Sequence, residues 1–199
     1  MNTPPKVKRY TYTKNSFQTL GGSYASGLFD PKYSLALAAI VSGFPHLEGM
    51  MGHLLAVLLG LDDTEIDTAG YVLRAIKSPS GRTDIMKDLL ELSPRNVGLG
   101  PEYDEILKEF RAVSRLRNEY VHGLWFTHNE GTEILLAIRD EHGWGLLAAA
   151  PVKIEDMELV SVRIWNLYFK VFKTTLPEFQ KRRPAPESHL PSEVPKPLP

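Results

Sequence analysis

The chain is expected to fold as a mainly α-helical bundle with a small antiparallel β insert around residues 124–150. Two features predict this. Through most of the 199 residues, apolar side chains recur three and four apart, the period of helices with one buried face. Between Gly123 and about residue 150 the pattern changes to short apolar runs separated by polar, glycine-containing turns, the signature of strands.

A content of 43% hydrophobic and 24% charged residues suits one globular domain with a proper core. The formal net charge of -1 argues against bulk electrostatic capture of nucleic acid. It leaves room for a small site with local charge. The chain has no cysteine, which excludes disulfides, Cys-ligated zinc and a thiol nucleophile, and suits a reducing cytoplasm. Met1 to Tyr10 is polar and basic, unlike a signal peptide. The longest apolar stretch, Tyr33 to Leu61, is interrupted by Pro45, His46, Glu48 and His53. It reads as a buried core helix or helix pair, not a membrane span.

Residues 1–15, with Lys6, Lys8, Arg9 and Lys14, read as a flexible basic arm. Residues 16–181 form the helical domain. Its first helix covers 32–60, with a break or kink expected near Gly43-Phe44-Pro45. Leu47, Met51, Leu54, Leu55 and Leu58 then mark its apolar face, and Gly60 ends it. Asp63 or Thr64 is placed to cap a helix holding Ile66, Val72, Leu73 and Ile76. Ser78-Pro79-Ser80-Gly81 reads as a turn before a short helix with Ile85, Met86, Leu89 and Leu90. Pro101 suits the first position of the next helix, which runs to His122, with Gly123 as its C-terminal cap. Strands are expected at Leu124–Thr127, Glu133–Ile138 and Trp144–Ala149, joined by the turns His128–Gly131 and Asp140–Gly143. A last helix spans about 155–176, with Met157, Val160, Ile164, Leu167, Tyr168 and Val171 as one stripe and Pro177 at its end. Residues 182–199 hold six prolines and no apolar period, which predicts a disordered tail.

The chemistry concentrates on residues 111–123. At about 100° per residue, Ile106, Phe110, Val113 and Tyr120 share the core face. Arg111, Arg115, Asn118 and His122 share a polar face, at steps of four, three and four. Arg117 falls on the apolar stripe, where a charge must be paired or sit at an interface. Glu48 on the earlier helix is a candidate partner, and a second subunit is the alternative. Histidine is the side chain whose charge changes near neutral pH, so His122 can serve as general acid or base. An arginine can hold a phosphate through two hydrogen bonds. Asn118, one turn before His122, can orient the imidazole or a substrate oxygen.

RNA supplies its own nucleophile, the 2′-hydroxyl. Cleavage therefore needs a proton acceptor, a proton donor and a positive clamp at the phosphate, with no metal or other cofactor. Arg111 and Arg115 are candidates for contacting the RNA backbone. His46 and His53, with Glu48, do not make a metal site, because His46 and Glu48 do not share a helix face and no H-E-x-x-H is present. Trp125, Phe126 and Trp144 read as core aromatics first and base-stacking platforms second. The chain lacks a P-loop, a G-x-S-x-G elbow and a distinctive carboxylate pair.

Arg117-Asn118-x-x-x-His122, at the end of an amphipathic helix, resembles the R-x4-6-H motif of HEPN-superfamily ribonucleases. A polar residue commonly follows the arginine there, as Asn118 does. The motif covers six residues, and the helical architecture extends the likeness over about 16–180. The resemblance implies a HEPN-like bundle with Arg117, Asn118 and His122 as catalytic residues. It also implies a homodimer in which two motifs share one cleft, and a setting in toxin–antitoxin or phage-defence systems with an antitoxin or regulatory partner. Some members do not cut RNA. The alternative it carries is an inactive dimeric module that binds a protein or nucleotide.

Overall fold

The computed structural model describes residues 10–13, 30–93, 96, 99–127, 134–139 and 146–182. Its elements are β1 (Tyr10–Thr13), α1 (Pro31–Leu59), α2 (Ile66–Ala75), α3 (Pro79–Leu92), α4 (Glu102–His122), β2 (Leu124–Thr127), β3 (Ile134–Arg139), β4 (Leu146–Pro151) and α5 (Ile154–Arg182). The fold is mainly α with a small antiparallel sheet. The Pro-rich segment 183–199, the arm outside 10–13, the two expected hairpin turns and Trp144 lie outside the described residues.

α1 starts where Asp30 accepts a hydrogen bond from the Lys32 amide at 2.9 Å, with Pro31 at the first helical position. It ends at Gly60, whose φ of 77° suits a residue without a Cβ. The expected break at Pro45 does not occur, and the helix is continuous through it. An internal proline costs about 3 kcal/mol. Ile40, Phe44, Leu47 and Met51 are buried around it, and each such side chain contributes about 1.5–3 kcal/mol, so packing wins. α1 is long and apolar enough to pass for a membrane span. Its Leu47, Leu54, Leu55 and Leu58 instead fill the centre of the bundle.

α5 packs along α1 in the same direction. Gly43 faces Ile164 and Trp165, His53 meets Phe179, and Arg182 reaches Val57. A Cβ on Gly43 would stand 3.4 Å from both Ile164 and Trp165, so this glycine sets how closely the helices approach. α5 does not stop at Pro177. Phe179 beyond it is buried, and Arg182 Nη1 donates to the carbonyls of Val57 (2.9 Å) and Leu61 (3.2 Å) at the end of α1. These two contacts, made just at and beyond the end of α1, hold the last turn of α5 in place. The stripe Met157, Val160, Ile164, Leu167 and Val171 is buried.

α4 runs opposite to α5. Glu109 pairs with Arg163 at 2.7 Å and Glu105 with Lys170 at 2.7 Å. Pro101 is its N-cap, not its first residue, and Glu102, Asp104 and Glu105 in the first turn complement the helix dipole. Ser78-Pro79-Ser80-Gly81 is not a free turn but the start of α3. Ser78 Oγ accepts from the Gly81 amide at 2.9 Å, and Pro79 is the first helical residue. The residue that caps α2 is Glu65, not Asp63 or Thr64, and it does so without a side-chain bond, while Asp62 just before it takes the Thr64 amide (2.8 Å) and hydroxyl (2.6 Å).

Asn96 joins α1 to α3. Its amide nitrogen donates to the carbonyls of Leu58 (3.1 Å) and Leu89 (2.7 Å), and the residue is 3% exposed. Asn96→Ala takes this donor from the Leu58 carbonyl and leaves the Leu89 carbonyl with the Ser93 amide alone. It is expected to lower stability by about 1–3 kcal/mol, read from the urea midpoint at constant slope. An unchanged midpoint would refute this role.

The sheet order is β1-β4-β3-β2, all antiparallel. β2 through β4 fall within a few residues of the expected strands. β1 comes from the segment read as part of the basic arm, and it pairs with the edge of β4 from Tyr10↔Ala149 to Thr13↔Leu146.

Candidate active site

The last turns of α4 bring the expected residues together. Arg117 Nη1 donates to Asn118 Oδ1 at 2.9 Å and lies 3.4 Å from His122 Nε2. A guanidinium only donates, so this contact requires the Nε2 lone pair of His122 to point at it. Arg117 and Asn118 are half-buried and His122 is exposed. Arg117 Nε is buried without a hydrogen-bond partner.

Glu48 does not pair with Arg117. It pairs with Arg82 of α3, whose Nε also donates to the Ile76 carbonyl at 2.8 Å. One turn earlier on the same face of α1, the Phe44 ring takes the place beside Arg117, its centroid 5.5 Å from the guanidinium carbon. Phe44 in turn stacks on Phe110 at 6.0 Å and 13°. The cation thus rests on an aromatic face, which suits a planar guanidinium. Phe44 was legible only as a core residue. The usable signal was its position four before Glu48.

Arg111 is turned to another task. Its Nε donates to Thr83 Oγ1 at 2.7 Å and its Nη2 pairs with Asp84, tying α4 to α3. Arg115 is at the surface, 3.8 Å from Glu119. Neither shares a described bond with the Arg117 cluster.

The helix end is anchored by the sheet. Trp125 Nε1 donates to the Tyr120 carbonyl at 2.9 Å, and the two rings stack at 6.1 Å. Tyr33 meets Trp125 edge-on at 6.4 Å, and its hydroxyl donates to the Val152 carbonyl at 3.0 Å. Trp125 is therefore a core residue. Burial first, then the carboxylates of Asp156 and Glu119, push the Tyr120 hydroxyl up to about 12. Gly123 caps α4 with extended backbone, φ -73°. It needs to be glycine because a Cβ would stand 2.4 Å from Leu136 and 2.6 Å from the Glu119 carbonyl. β3 therefore presses directly on the residue after His122.

The remaining helical histidines are used for packing. His46 stacks on Trp165 at 5.7 Å, and His53 meets the Phe179 ring edge-on at 6.1 Å. Among the described residues, no three His, Cys, Asp or Glu side chains cluster as metal ligands. Burial lowers the pKa of His53, opposed in part by Asp67. The unfolded chain then binds the extra proton more readily, so stability is lost as pH falls through the ordinary histidine range. We expect a lower Tm at pH 5 than at pH 8, and a smaller difference in His53→Gln. Equal slopes for the two proteins would show that His53 is not the group responsible.

In comparisons with known proteins, no family model, no curated protein and no solved structure matches this chain.

Proposed function

We propose that the chain is a metal-independent endoribonuclease that cuts single-stranded RNA and acts as a homodimer in the cytoplasm. One observation carries the reading. Arg117, Asn118 and His122 meet around a single guanidinium nitrogen at the end of α4, where His122 is exposed to solvent. In the proposed reaction the Arg117 guanidinium leaves His122 Nε2 for the phosphate, and the freed Nε2 lone pair removes the proton from the RNA 2′-hydroxyl. The 2′-oxygen attacks phosphorus, the bond to the 5′-oxygen breaks, and the leaving oxygen takes up a proton from water. The products are a 2′,3′-cyclic phosphate and a free 5′-hydroxyl. Arg117 holds the phosphate and offsets its developing charge, and Asn118 keeps the guanidinium in place. The likeness to HEPN ribonucleases supports this assignment and suggests a toxin or phage-defence effector held by an antitoxin or regulatory protein.

The test is incubation of purified protein with single-stranded RNA in EDTA, with the product ends analysed. Cyclic phosphate ends support the reading, and intact RNA, or cleavage only on adding metal, overturns it. A second reading, an inactive dimeric module binding a protein or nucleotide, is favoured by the apolar face that α5 leaves exposed. A dimer with no cleavage in the same assay selects it.

A further inference from the structure

α5 carries two apolar faces. One is buried against the bundle. The other consists of Val162, Trp165, Phe169, Phe172 and Leu176, at steps of three, four, three and four, with exposures from 39% at Trp165 to 53% at Val162. Exposed apolar residues scattered singly are ordinary. Five large ones in a row along about 21 Å of helix are not. Their mean step of 3.5 is the repeat of a seam between two helices.

The charges along this face identify the occupant. Its N-terminal end is acidic, with Glu155 and Glu158 exposed, while Lys173 flanks the C-terminal half. A helix acidic at one end and basic at the other complements an antiparallel copy of itself. The shape agrees. Beside the N-terminal half of the stripe, α1 and α5 leave a groove of about 740 Å³ lined by the apolar Leu35, Ala36, Ala39 and Val162 and by the charged Glu158 and Lys32. The C-terminal half of the stripe offers the protruding Phe172 and Leu176. One end of the face is a hollow and the other supplies the knobs, as a two-fold, self-complementary contact requires.

We propose that α5 forms a two-fold interface with the antiparallel α5 of a second copy of this chain. The register that pairs four of the five stripe residues with one another sets Val162 against the partner's Phe172 and Trp165 against the partner's Phe169. The partner's Leu176 then lies opposite Glu158 at the groove, and the partner's Lys173 falls within one turn of Glu158. α4 meets α5 through Arg163 and Lys170, on the far side of the helix from the stripe. Each copy therefore keeps its own Arg117 cluster clear of the seam, unlike the shared cleft that the family resemblance implies.

Sedimentation equilibrium of the full chain tests this without any reference to RNA. The parent is expected to be a dimer, and Phe169→Glu to weaken it by about a hundredfold or more. Glu158→Lys and Lys173→Glu each replace two symmetric attractions with repulsions and are expected to weaken it about tenfold. The double variant restores dimerisation to near the parent level. Residues 158 and 173 lie about 22 Å apart along one helix, so mutual rescue requires two antiparallel copies. Both side chains are exposed, so these variants leave the fold intact. A parent that stays monomeric overturns the interface and assigns the face to another occupant. A dimer indifferent to Phe169→Glu overturns the surface, and a double variant no tighter than the singles overturns the antiparallel arrangement.

Discussion

His122→Ala is expected to lose RNA cleavage by about 10²–10⁴-fold in kcat, the range that a positioned acid–base group supplies. The loss should leave folding untouched. His122 is exposed, and its one described contact is the 3.4 Å approach to Arg117. Surface substitutions of this kind stay within about 0.5 kcal/mol of the parent. Arg117→Ala should cost a comparable factor, because it removes both the clamp and the charge that meets the phosphate. Arg117→Lys keeps the charge but loses the flat fork that lies on Phe44, and should recover little. Equal cleavage by the parent and His122→Ala, at matched stability, would reject the assignment whatever the fold.

Phe44→Ala is expected to be the most destabilising of these substitutions. Phe44 is 5% exposed, stacks on Phe110 and lies under Arg117. Removing a buried phenyl ring costs about 3–5 kcal/mol, a large share of the roughly 5–15 kcal/mol that holds a domain folded. Denaturant unfolding of the variant measures this directly, and a cost under about 1 kcal/mol would refute the packing described. Phe44→Leu separates the two roles. It keeps most of the volume and should cost under about 1.5 kcal/mol. It removes the aromatic face under the guanidinium, so cleavage should fall by more than the stability loss accounts for. Phe44→Tyr, which keeps the face, should restore cleavage.

Much of the architecture could be read before any coordinates. Val113 and Phe110 marked the inner face of α4, and both are buried. The strands after Gly123 were visible because the apolar pattern shifts from helix to strand at that point. Prolines and small polar residues misled the reading in a consistent way. Pro45 and Pro177 looked like stops, and Ser78-Pro79 looked like a turn. All three lie within or at the start of helices whose other residues are held by burial or by a cap. Local propensity lost to packing, as it does when the competing terms are several buried side chains against one missing hydrogen bond.

The pairing of distant groups was not legible. The polar face of α4 was clear from its spacing, because Asn118 and His122, four apart on one helix, must be neighbours, whereas the approach of Arg117, five before His122 and on the apolar stripe, was not fixed by spacing. The choice of Arg82 as the partner of Glu48, of Phe44 as the support for Arg117, and of Thr83 and Asp84 for Arg111 depends on how separate helices meet. The same holds for β1, which finds the edge of β4 from more than a hundred residues away. Periodicity within a segment reports which side of that segment is buried. It carries no information on what lies opposite, because that is set by the joint packing of all the helices against one another.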